Sequence, residues 1–299
     1  MIREFAIEPS ALENDRFADW VVYHTGIDTG QYISELPRKW KKLIFQLPGD
    51  SLRNKLIIES LRSNKSIVRF RENYDWNSQA NWQTNAQRLH TEKAFDVILQ
   101  LENIENHKYV VTPDQLRSRK NELQGTQFKK VARNVEEMTA YLESLAIVSE
   151  KLEFCDPYLH SLERKHMAFL EGMFKCCKGS KKKDIRIHTR LGKKDDEYIN
   201  GRVNDFRTKL RPLLRRSDFA ESIQVIFWSE YDSGARFHDR WFLTDLGGYN
   251  IGSGFDTKED DENMIRRVDK DEFHHVSSTF NETGNTYDNL RQFSISEDR

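Results

Sequence analysis

Cysteine and proline are scarce in this chain, and no apolar run is long. The three cysteines, Cys155, Cys176 and Cys177, are an odd set with two adjacent members and no C-x-x-C spacing. This argues against a disulfide framework or a zinc site and fits a reducing cytoplasm. No apolar stretch approaches the roughly 20 residues that span a bilayer. The opening stretch, MIREFAIEPSALENDRFADW, holds acids and no apolar core, so it does not read as a secretory signal. Neither charge sign dominates, since 47 Lys and Arg face 48 Asp and Glu.

What the chain does have is charge and aromatic mass. Charged residues make up 32% and apolar residues 37%, yet 18 Phe, 10 Tyr and 6 Trp suffice to build a core. A length of 299 residues fits one large domain or two modest ones. The first part is weakly patterned. Pro37 to Lys42 opens a helical stretch, Ser51 suits an N-cap for the next helix, and Ser66 to Phe70 reads as a strand. Glu72 to Gln87, polar with Tyr74, Trp76 and Trp82, reads as a loop or binding surface. Phe95 to Leu99 and Tyr109 to Val111 are further strand candidates. Residues 1–130 are expected to form a mixed α+β module for recognition or regulation.

From Val131 the pattern tightens. A helix over Asn134 to Leu145 leads to a strand at Lys151 to Cys155. Asp156-Pro157 then opens a helix reaching about Cys177, with proline in its first turn. Ile185 to Arg190 and Ile223 to Trp228 are strands, separated by a helix that Pro212 ends or kinks. This alternation predicts an α/β layer architecture over residues 131–299. Between Lys178 and Arg216, 14 Lys and Arg face 5 acids, a net +9, which suits a polyanion-binding face. From Asp256 onward 12 acids face 6 bases, and this acidic tail reads as a closing segment or flexible arm. Its adjacent His274 and His275 diverge on either a strand or a helix, so they do not suggest a metal site.

The chemistry concentrates in Phe237 to Asp256, FHDRWFLTDLGGYNIGSGFD, where His238 and Arg240 alternate on an expected strand before a hairpin. The spacing is His238-x-Arg240-x4-Asp245-x6-Gly252-Ser253. It resembles the phospholipase D superfamily signature, H-x-K, four residues, D, six residues, G-S. Arg240 replaces the usual lysine, and Phe255 stands where the family usually has asparagine. The resemblance covers about the second half of the chain and implies a phospholipase D-like α/β sandwich. It also implies that His238 attacks phosphorus to form a phosphohistidine, with Arg240 and Ser253 holding the phosphoryl oxygens and Asp245 fixing a neighbouring group or the hairpin. Asp156, Arg190, Lys193 and Gly252 are the accompanying candidates for substrate contact.

The family places two such motifs across a cleft, and this chain has one. A symmetric homodimer, His238 meeting its counterpart near the twofold axis, is therefore expected, with no metal ion and no cofactor. The resemblance implies a hydrolase, specifically a nuclease acting on nucleic acid, DNA before RNA, of the kind used in bacterial restriction or anti-phage defence. A gating protein partner is a further expectation. The alternatives are a catalytically decayed nucleic-acid-binding module and a phospholipid or small-phosphodiester hydrolase.

Overall fold

A computed structural model of the chain describes residues 2–26, 30–47, 52–63, 68–71, 74–123, 126–192, 195–230, 234–280 and 286–296. Ser51, Ser66 and Lys193 lie outside the described residues. The chain forms two compact units, Met1–Thr126 and Gln127–Arg299. The division precedes residue 130 because Phe128 already pairs with Arg266 in the second sheet.

The first unit runs β1 (Arg3–Ile7), α1 (Asp15–His24), β2 (Gln31–Glu35), α2 (Trp40–Phe45), α3 (Leu52–Ser63), β3 (Val68–Phe70), α4 (Trp82–Glu92), β4 (Val97–Leu99), β5 (Val110–Val111) and α5 (Lys120–Leu123). Every strand pair is parallel and the order is β3-β2-β1-β4-β5. The unit is thus parallel α/β rather than the mixed α+β module expected. Alternation along β1 explains the two covered faces. Phe5 and Ile7 join a core with Phe17, Ile33 and Trp40, while Ala6 joins Leu36, Ala86 and Ile98 on the opposite side. Trp76 and Trp82 pack against that second cluster, and the Trp82 indole N–H donates to the Leu36 carbonyl at 2.9 Å. They anchor a core, and Asn81 caps α4 where a loop was expected.

The second unit runs β6 (Phe128–Ala132), α6 (Val135–Val148), β7 (Lys151–Cys155), α7 (Arg164–Cys176), β8 (Asp184–Arg190), α8 (Asp196–Arg215), β9 (Ser222–Glu230), β10 (Trp241–Thr244), β11 (Gly248–Ile251), β12 (Glu262–Arg267), α9 (Lys270–Thr279) and β13 (Tyr287–Ser296). They build one mixed sheet, β13-β9-β8-β7-β10-β11-β12-β6, in which only β7-β8 and β8-β9 pair in parallel. The acidic tail is therefore part of the sheet, not an arm, and His274 and His275 are exposed on α9. α8 continues through Pro212. The helix after Asp156 starts late, since Leu162 takes a left-handed φ of 39° and α7 begins at Arg164. Lys181 and Lys182 are exposed at the amino end of β8, whereas Lys183 is buried with its ammonium donating to the Ser149 carbonyl at 2.6 Å and that of Ile147 at 3.1 Å.

One sheet face carries a buried polar group beside Cys155, Trp228 and Trp241. The Glu153 carboxylate meets the Lys151 ammonium at 2.5 Å, and the His188 ring lies 3.7 Å away. The Trp228 indole N–H donates to His188 Nδ1 at 3.1 Å, which puts the imidazole proton on Nε2, towards Glu153. Burial pushes His188 below its ordinary value, against the opposing pull of Glu153. Burial also opposes charge on Glu153, but His188 and Lys151 outweigh it and hold the carboxyl down to about 2. An acid depressed in the folded state stabilises the fold above its unfolded value and loses that contribution as it protonates. Stability should therefore fall as pH drops from about 4.5 to about 2. Urea midpoints against pH test this: Glu153→Gln is expected to flatten that part of the curve, and an unchanged slope would refute the assignment.

Candidate active site

The strands β7, β8 and β9 are parallel, and their carboxyl ends carry Asp156, Arg190 and Glu230 in turn. β10 runs antiparallel to β7, with Trp241 opposite Cys155, so residues just before β10 reach that same edge. Those residues include His238 and Arg240. The strand starts only at Trp241, so the His238-x-Arg240 step is irregular chain rather than the strand expected. In open α/β sheets this edge is where ligands collect.

The approach to β10 is fixed by Glu230. Its carboxylate accepts from Arg190 Nη1 at 2.9 Å, from Arg236 Nη1 at 3.1 Å and from the Phe237 amide at 2.8 Å. Burial would raise this carboxyl, but the arginines and the amide hold it below its ordinary value. The Phe237 ring is buried beside Phe280 and Tyr287, which leaves the next side chain, His238, exposed. Arg240 lies against the hairpin. Its Nη1 donates to the Gly252 carbonyl at 3.0 Å, and its guanidinium carbon sits 4.9 Å from the Tyr158 ring centre. Arg190 approaches the same ring at 5.8 Å. Two guanidiniums thus lie near one half-exposed tyrosine at the strand ends.

The Gly-Ser-Gly turn is held from both sides. Asp156 is buried and accepts from the Tyr158 amide at 2.8 Å and the Phe255 amide at 3.2 Å. Burial raises its carboxyl above the ordinary range, partly offset by those amides and Arg240. Asn263, also buried, accepts from the Ser253 amide at 2.9 Å and donates to the Gly254 carbonyl at 2.9 Å. Phe255 is fully buried and stacks on Phe169 at 5.1 Å. Position 255 therefore serves the core, and Asn263 supplies the polar support. Beneath the turn, Asp256 binds Arg133 and, at 3.1 Å, Lys165; Arg133 also meets Asp261 at 2.7 Å. Burial opposes charge on Asp256, and Arg133 and Lys165 prevail, keeping it below its ordinary value.

These groups line a cavity of about 380 Å³ whose wall includes Arg240, Tyr158, Ser253, Lys165, His160 and His166. His160 Nδ1 lies 2.9 Å from the Pro157 carbonyl, so it carries the proton and leaves Nε2 as the basic nitrogen. His166 is buried and pushed below its ordinary value by that burial. Of the residues singled out from sequence, Arg240, Gly252, Ser253 and Asp156 come together here, and Arg190 joins from across Tyr158. His238 stands next to this group on the surface, outside the cavity wall.

Asp245 is at the far end of β10, where its Oδ1 accepts from the amides of Glu150 at 2.9 Å and Lys151 at 3.1 Å. A strand's length separates it from His238, so of its two expected roles these contacts fit the fastening of the hairpin. Asp156 gives one oxygen to each of two backbone amides and also lines the cavity. Sequence reading missed Glu230, Asn263, Lys165 and His160. Only His160 had a local sign, its position just after the strand-ending Asp156-Pro157.

No protein-family profile matches the chain, and no curated protein matches it. Among solved structures, one archaeal chromatin protein, TrmBL2, described as showing a novel mode of DNA binding, aligns over 85% of this chain and 83% of its own, at 8% identity and a TM-score of 0.27. A likeness at that level carries no argument about fold or partner.

Gly254 should be irreplaceable at the turn. Its φ is +93°, and a Cβ there would lie 2.6 Å from Asp156 Oδ2. Gly254→Ala is expected to cost about 1–3 kcal/mol from strain and clash together. Chemical denaturation measures it, and a midpoint equal to wild type would show that Asp156 does not tie the turn.

Proposed function

We propose that the second unit is a metal-independent phosphodiesterase that cleaves nucleic acid, DNA first, through a phosphohistidine on His238. The observation carrying this reading is the convergence of Arg240, Gly252-Ser253 and Arg190 at the carboxyl edge of the parallel strands, with an exposed His238 two residues before Arg240. Exposure suits a nucleophile that must meet a polymer's phosphate rather than a small buried ligand.

In the proposed step a neutral imidazole nitrogen of His238 attacks phosphorus, the N–P bond forms and the P–O bond to the leaving strand breaks. The leaving oxygen takes a proton from the His238 of a second copy, so the active species is a homodimer. Water then attacks phosphorus, the N–P bond breaks, and that second imidazole receives the water's proton. Arg240 and Arg190 offset the charge gathering on the phosphoryl oxygens. Arginine at 240 retains the fixed charge of the family's lysine and adds a planar fork.

Plasmid DNA incubated with the purified protein in EDTA tests the reading. Cleavage is expected to persist, to fall about 1,000-fold or more in His238→Ala, and to fall about 100-fold or more in Arg240→Ala. No cleavage in any buffer, with His238→Ala behaving as wild type, would sink it. DNA binding that weakens steeply with salt, without turnover or a covalent histidine adduct, would instead select a binding module. Liposome turnover without nuclease activity would select a lipid phosphodiesterase.

A further inference from the structure

The first unit holds a cavity that the proposed chemistry does not use. It has a volume of about 530 Å³ and lies between α1 and the segment 113–120 that follows β5. That size falls within the range of small-molecule sites. Its floor is Trp20, which is 8% exposed and held against the Phe5 ring at 5.1 Å. Tyr23, 67% exposed and almost one helical turn further along α1, forms an aromatic wall. Pro113 and Leu116 close the opposite side. The result is a slot with aromatic groups of α1 on one side and aliphatic ones on the other.

The mouth is charged. Arg16 is paired with Asp114 at 2.5 Å, which closes one corner. Arg117 and Lys120 are exposed beside it and, among the described residues, have no acidic partner. Asp19 is the remaining acid of the lining, so the mouth is net positive.

We propose that this cavity binds a nucleoside monophosphate unit, its base in the Trp20–Tyr23 slot and its phosphate on Arg117 and Lys120. The chemistry is shared by a free nucleotide and by the phosphorylated end of a strand. This site is independent of the His238 edge, so either reading can fail while the other stands.

Calorimetric titration of the full chain with AMP, adenosine and inorganic phosphate tests it. AMP is expected to bind saturably and about tenfold more tightly than adenosine. Arg117→Ala with Lys120→Ala should erase that difference, and Tyr23→Ala should weaken both ligands. All three replaced side chains in the cavity are exposed, and an unchanged thermal midpoint verifies that each variant folds. A 5′-phosphorylated oligodeoxyadenylate that displaces AMP assigns the site to a strand end; failure to displace it assigns the site to a free nucleotide. No saturable binding of AMP, GMP, CMP or UMP, or AMP binding indifferent to the Arg117 and Lys120 changes, would overturn the proposal.

Discussion

The buried Asp156 carboxylate is the tie on which the second unit's edge depends. One oxygen turns the chain leaving β7 by accepting from Tyr158, and the other holds the hairpin by accepting from Phe255. Neither segment has a regular ladder to satisfy those amides, so the carboxylate completes their hydrogen bonding. Gly254 lets the two segments approach, since any side chain there would meet Asp156. With the turn fixed, the Gly252 carbonyl is fixed, and with it the guanidinium of Arg240. Tyr158, placed by the same tie, has the Arg240 guanidinium 4.9 Å from its ring centre. The placement of Arg240 thus traces back to one acid, whose charge Arg240 helps to hold there.

The second unit was largely legible in the sequence, and the first only in part: β3, β4, β5, α2 and α3 fall on stretches expected as strands and helices, whereas β1 and β2 do not. In the second, β7, β8 and β9 are runs such as KLEFC, DIRIHTR and SIQVIFWSE, and α8 shows its apolar residues at helical spacing. The hairpin was legible through its glycines. In the first unit, parallel strands buried on both faces would ordinarily read as unbroken apolar runs. Here Glu4, Gln31 and Ser34 interrupt them, because the interior carries its own polar group: Glu4 accepts from Ser34 and pairs with Arg71 at 3.3 Å. Polar letters inside the short strands β1 and β2 look like loops, so the βα alternation that these strands begin was hidden.

The same logic accounts for what the hairpin motif concealed. Its spacing suggested one cluster of functional groups, but a strand has two ends. The x4 interval between Arg240 and Asp245 is the whole of β10, so those two side chains must fall at opposite edges of the sheet. The x6 interval contains the turn and β11, which returns Gly252 and Ser253 to the first edge. Residues at one edge share chemistry, whereas Asp245 at the other fastens β10 to the start of β7. Glu230 and Asn263 escaped notice because each acts through contacts outside the motif's spacing: Glu230 reaches back to Arg190 in the neighbouring strand, and Asn263 in β12 holds the turn that follows β11.

Arginine at position 240 follows from this surrounding. A guanidinium has several donors in one plane and two flat faces. At Arg240 one donor is spent on the Gly252 carbonyl, while the plane lies near the Tyr158 ring. An ammonium is a point donor without a face to stack, and using its few donors on the turn would leave little direction towards a phosphate. The arginine can be anchored and still present charge. Its neighbours make the anchoring necessary, because Asp156 and Asp256 lie in the same cavity and would otherwise compete for a mobile cation. Arg133 and Lys165 occupy Asp256, and backbone amides occupy Asp156, so the acids are neutralised locally. Arg240 then remains at this edge without a carboxylate partner among the described residues, whereas Arg190 is paired with Glu230 at 2.9 Å.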